Sequence, residues 1–161
     1  MTKVNRTFTS AHFQDVVKRL SPDDFIKLPT SQPFKFKLTT RLPKLSFIFF
    51  KQDKCIHSQE AQQHFNQLPL KFKDITFGSL NLTTHNTFAN TTEDTNTHIT
   101  YTPFFLFYID GIPFYRFDST IRTVDSFSRH LEMLTTNYYL ELAKRAEAQA
   151  SPKIPPNATK T

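Results

Sequence analysis

Short blocks of apolar residues, each with its own spacing, divide this chain into elements. Residues 45–50 form a compact run of Leu, Ile and Phe around one Ser, which predicts a buried strand. Residues 58–68 read as a helix, with Ala61, Phe65 and Leu68 on one face and Pro69 closing it. Residues 74–82 alternate and predict another strand. Residues 83–98 are rich in Asn and Thr and lack a period apart from Phe88 and Ala89, so a loop with one irregular helical turn is expected. Residues 104–108 predict a strand, Asp110-Gly111 a tight hairpin turn, and residues 112–117 the returning strand. Pro113 places that return at or near a sheet edge. A last helix starts at Thr123, presents Phe127, His130, Leu131, Leu134, Tyr138 and Leu142 on one face, and runs to about Ala148.

Ahead of these blocks the pattern is weaker. Residues 1–9 are polar and read as extended. Residues 10–20 predict a short helix, since Ala11, Phe13, Val16, Val17 and Leu20 recur at helical spacing behind a Ser10 cap. Ser21-Pro22-Asp23-Asp24 repeats a helix-start signal. Pro29 and Pro33 punctuate a loop, and residues 34–38 alternate as a half-buried strand. Residues 151–161, with Pro152, Pro155 and Pro156, cannot supply a core and read as an arm.

From residue 45 the order is β-α-β-loop-β-β-α. The βαβ unit demands a right-handed crossover and a parallel pair, and the later hairpin adds antiparallel strands. The expected class is α/β, with a mixed four- to five-stranded sheet and helices on both faces. The division expected is an N-terminal extension at 1–44, packed on the domain or on a partner, a domain at 45–148, and a flexible or partner-bound tail at 149–161.

Composition narrows the function classes. A single Cys excludes an intramolecular disulfide and with it the stapled secreted modules. The first residues lack an apolar signal segment, and no apolar run approaches the roughly 20 residues of a membrane span. Sequons at Asn5, Asn81, Asn90 and Asn157 then read as composition, and a reducing intracellular compartment, the cytoplasm, is the expected location. The net charge of +6 is scattered and contains no basic block. No nucleic-acid motif accompanies it, so nucleic acid is not among the expected partners. The 6 histidines show no metal-ligand spacing. His57 and His64 are seven apart, but no acid or Cys completes a set, and no metal is expected. With 2 Gly there is no phosphate-binding glycine loop, and no Ser-His-Asp arrangement is visible.

The chemistry that remains centres on Cys55. It follows the apolar run 45–50 and a short polar turn, and Ser58 stands three residues on, where a helix begins. A thiol at a helix start has its pKa lowered by the free N–H groups, and Lys54 and His57 are expected to add to this. Later in the chain Thr102-Pro103 directly precedes the apolar strand, its Asp-Gly turn and the closing helix.

This succession resembles the thioredoxin superfamily over residues 45–134. The resemblance implies a thioredoxin-like fold, Cys55 as the nucleophilic cysteine, Ser58 in place of the resolving one, and Thr102-Pro103 as the cis-proline segment, with Thr102 offering its backbone to a bound peptide. Departures are equally specific. Lys54 replaces the aromatic usual before the cysteine, Phe49 stands where active members bury an acid, and Ser79 lies near the place of its partner lysine. The glycine common after the last strand is absent, where Phe117, Asp118, Ser119 and Thr120 stand instead.

A dithiol needs both sulfurs to resolve its own mixed disulfide. The reading is therefore a non-catalytic, thioredoxin-like structural or binding component of a larger protein assembly, gripping neighbouring proteins through its N- and C-terminal arms and needing no cofactor. By analogy that assembly is a virus particle, with the virion as the location. The alternative is a monothiol thiol-disulfide oxidoreductase acting on glutathione or a client protein. Its catalytic set is Cys55, Ser58 and Pro103, and its binding residues are Lys54, His57, Thr102 and Pro103. A third reading is a peptide binder that uses the Thr102-Pro103 edge without redox work.

Overall fold

The computed structural model of the chain describes residues 16–150. The extended reading of 1–9, the Ser10 cap with most of the first helix, and the arm at 151–161 lie outside the described residues.

The core of the fold is a five-stranded sheet in the order β1-β5-β4-β6-β7. Its members are β1 (Lys18–Arg19), β4 (Leu45–Lys51), β5 (Ile75–Asn81), β6 (Phe104–Ile109) and β7 (Ile112–Phe117). Strand β4 runs parallel to β5 and antiparallel to β6, so the predicted βαβ unit and hairpin meet in one mixed sheet. Flanked on both sides, β4 and β6 bury nearly every side chain, which is why they read as continuous apolar runs. Strand β7 is an edge, as Pro113 implies. Its turn residues Asp110 and Gly111 both have positive φ, 51° and 81°, the requirement of a tight two-residue hairpin.

Pleating sorts the aromatics onto two faces. Phe47, Phe49, Phe105 and Phe117 point to one face and meet Phe65 of helix α1 (Ile56–Phe65) or Phe127 of helix α4 (Val124–Ala150). Ile48, Phe50, Phe104, Leu106 and Tyr108 point to the other. There they are covered by Phe88 of the short helix α3 (Phe88–Thr91) and by Phe25 and Leu38 of a separate hairpin, β2 (Phe25–Pro29) with β3 (Phe36–Thr40). Tyr108 Oη donates to the Leu38 carbonyl at 3.0 Å and ties that hairpin to the sheet.

Several expectations are corrected. The helix expected over 10–20 does not reach its end, because Lys18–Arg19 is a strand parallel to Gly78 and Ser79. Leu20 lies against the bare backbone of Gly78, where a Cβ would stand 2.7 Å from Leu20 Cδ1. Strand β2 has no alternation because only Phe25 is buried, and its pairing with β3 forms it. The strand expected over 34–38 is displaced to 36–40, since Phe34 turns the hairpin at φ 60° and is 90% exposed. Helix α1 ends at Phe65, and Pro69 sits in the first turn of a second short helix, α2 (Leu68–Lys71), rather than closing the first. Ser21 caps a 3-10 turn at Pro22–Asp24 with a reciprocal capping box from Asp24. On α4 the expected apolar face holds for Phe127, Leu131 and Leu134 and has lapsed by Leu142, which is exposed.

Residues up to Phe127 form one compact unit and those from Ser128 a second, with the boundary inside α4. Among the described residues no helix is long and apolar enough to cross a membrane.

Candidate thiol site at the start of a helix

Strand β4 delivers the chain to a polar turn, and Cys55 is the N-cap of α1. Cys55 N–H donates to the Gln52 carbonyl at 3.3 Å, and its own carbonyl accepts Gln59 N–H at 3.0 Å, so its backbone is held from both directions. The thiol is half-buried and is unpaired with any other cysteine. The Thr102-Pro103 bond is cis and brings the Thr102 carbonyl to 3.5 Å from Cys55 Sγ, across 47 residues of sequence. Gln52 completes the ring of contacts. Its N–H donates to Ser58 Oγ at 3.4 Å, and its side-chain carbonyl accepts the Thr102 hydroxyl at 2.9 Å.

The electrostatics of the sulfur follow from these neighbours. Partial burial, the largest single influence, pushes its pKa up. Hydrogen bonds from Ser58 and Thr102 side chains and from the backbone N–H groups of Ser58 and His57 act the other way. Together they outweigh burial and hold the thiol below its ordinary value. Ser58 is itself buried and serves as a hydrogen-bonding group.

Of the expected site residues, Cys55, Ser58, Thr102 and Pro103 are brought together. Lys54 and the His57 side chain point to solvent. The His57 imidazole lies 3.8 Å from Glu60, an exposed contact, and the help that His57 gives the sulfur comes from its backbone N–H rather than from its charge. Lys54 is not among the groups that shift the thiol. Gln52 carries no sequence signal of its own, because its role depends on the contact with Thr102, 50 residues along the chain.

The two sheet positions where the resemblance calls for an acid and its partner lysine carry no charge. Phe49 is fully buried, stacked on Phe105 with centroids 4.8 Å apart, and pairs across the sheet with Ser79. Among the described residues no group of three or more His, Cys, Asp or Glu is placed to hold a metal, and His64 instead accepts the Val124 N–H at Nδ1, 3.2 Å.

Comparison with known proteins defines the fold class. No family model matches the chain. Mitochondrial thioredoxin 3 of Saccharomyces cerevisiae superposes over 74% of this chain and 96% of its own, with a TM-score of 0.50 and 15% identity. A chain of the complex of ferredoxin: thioredoxin reductase and thioredoxin f2 superposes over 74% and 94%, with a TM-score of 0.53 and 15% identity. Human ERp44 gives a TM-score of 0.54 at 13% identity, and there the chain spans only 29% of the longer protein. The fold is thus thioredoxin-like, as the resemblance implied. A curated relative is an uncharacterized protein, 196R of Invertebrate iridescent virus 6, 33% identical over 72 residues. That match spans 45% of this chain and 41% of the viral protein.

Proposed function

We infer that this protein is a thioredoxin-fold binding or structural component of a larger protein assembly, in which the fold serves as scaffold rather than as a dithiol catalyst. The observation that supports this best is the missing half of the dithiol machinery. The chain has no second cysteine to act as a resolving thiol, buried Phe49 stands where the resemblance calls for an acid, and among the described residues no Asp or Glu is buried to move a proton. The partial similarity to a protein of an iridescent virus supports a virus particle as the assembly, with the virion as its location. The terminal arms then hold neighbouring proteins. The test is to replace Cys55 with Ser and follow incorporation into particles by fractionation and immunoblotting. Incorporation equal to that of the parent supports the scaffold; loss of incorporation from a folded variant overturns it.

A second reading is favoured by one observation, the lowered pKa of a half-buried thiol. As a monothiol, the Cys55 thiolate attacks one sulfur of a glutathionylated client. A new Cys55–glutathione disulfide forms, the old S–S bond breaks, and the client leaves as thiolate. A second glutathione must then attack Cys55–glutathione, releasing Cys55 as thiolate and oxidised glutathione as product. Mass spectrometry after incubation with oxidised glutathione at neutral pH separates the readings. Rapid, reversible formation of one glutathione adduct supports the enzyme, and an unmodified chain supports the scaffold.

A further inference from the structure

A second polar feature lies on the same face of the sheet as α1, at the β1 end. It is a cleft of about 390 Å³ among β1, β5, β4, α1 and the turn after β5. Arg19, Lys51 and His85 line it, with the amide of Asn66 and the hydroxyls of Ser79 and Thr84. No carboxylate is among its lining residues.

Lys51 is the informative group. It closes a strand whose other side chains are all buried, and is itself half-buried. Its Nζ donates to Gln62 Oε1 at 2.7 Å, and Gln62 passes the polarity on through Nε2 to Asn66 Oδ1 at 2.8 Å. Neither Lys51 nor Arg19 forms an ion pair among the described residues. A half-buried ammonium with only a neutral partner is poorly compensated. Its pKa is lowered, first by burial, and Arg19 pushes it further in that direction; only Asp53, which lies near but does not line the cleft, opposes this. Asp53 is engaged with Asn81 Nδ2 at 2.9 Å. Other donors on the cleft lining lack protein acceptors: two protons on Lys51 Nζ, the Asn66 amide and the Ser79 hydroxyl have no partner among the described residues.

We propose that this cleft binds a small oxyanion, the phosphate or carboxylate group of a polar molecule, held between Lys51 and Arg19 with Asn66 and Ser79 donating to its oxygens. Guanidinium, ammonium, amide and hydroxyl donors converging without a carboxylate are the donor set such a group requires. The site is separate from Cys55 and does not depend on its chemistry.

The experiment is a two-dimensional NMR titration of the full chain at low ionic strength, with inorganic phosphate in one arm and succinate in the other. Each is repeated on Arg19→Gln, at an exposed position, and on Lys51→Met, with each variant's own spectrum showing whether it is folded. Saturable shifts centred on the amides of Asn66, Ser79 and Thr84, weakened at least about tenfold in either variant, are expected. Saturation by phosphate alone assigns a phosphoryl ligand, by succinate alone a carboxylate, and by both a general oxyanion site. Shifts that do not saturate, that spread over all basic residues, or that persist unchanged in Arg19→Gln overturn the proposal.

Discussion

At the scale of single residues, the titrations of Cys55 and Tyr108 are shifted by their surroundings. The Cys55 thiolate is supported by Ser58, Thr102 and two backbone N–H groups. Its alkylation rate is expected to rise with pH and reach half its maximum below the free-thiol value of ~8.5. Ser58→Ala removes the largest supporting hydrogen bond and is expected to move that midpoint up toward the ordinary value; a midpoint that stays put removes Ser58 from the account. Tyr108 is fully buried, and burial pushes its pKa well above the ordinary range. The neutral phenol is favoured in the folded state, so its stabilisation is complete below about pH 10 and is lost as pH rises beyond it. Tyr108→Phe is expected to cost about 1 kcal/mol at neutral pH through the lost bond to the Leu38 carbonyl. It is also expected to flatten the fall in stability above pH 10, measured by urea denaturation across the alkaline range.

At the scale of elements, the β1–β5 contact turns on Gly78. A Cβ there would collide with Leu20 at 2.7 Å, a side chain held in the core. Gly78→Ala is expected to destabilise by roughly 1–3 kcal/mol. Leu20→Ala in the same chain is expected to relieve part of that, so the double variant loses less than the sum of the two single losses. Simple additivity in denaturant melts would show that the two do not touch. The β6–β7 turn is legible in Asp110-Gly111 because the chemistry is local: consecutive positive φ values are tolerated by few residues. By contrast β2 shows no sequence signal, since its exposed side chains leave its pairing with β3 to define it.

For the first compact unit as a whole, stability rests on aromatic rings that interlock on both sides of one sheet. Phe47 contacts five other Phe rings within 6.4 Å besides its helix partner Phe65. Phe47→Ala is expected to cost about 3–5 kcal/mol. Phe114→Ala, at a position 61% exposed on the edge strand, is expected to change stability by under ~0.5 kcal/mol. Equal losses in thermal melts would mean that the edge strand is covered in solution.

The sequence placed the start of α1 two residues late, at Ser58 rather than Ile56, and left α2 unmarked, but by itself it determined the strands from Leu45 onward, the edge position of β7 and its turn. Each is written in spacing or turn chemistry over a few neighbouring residues, where side-chain period reports which face is buried. The tertiary structure alone decided that Lys18–Arg19 is a strand, that β2 exists, and that the sulfur of Cys55 meets Thr102 and Ser58 meets Gln52. It alone gathered Arg19, Lys51, Asn66 and Ser79 around one cleft. These depend on backbone pairing and on contacts between distant parts of the chain, and periodicity records that a side chain is buried without recording what it is buried against.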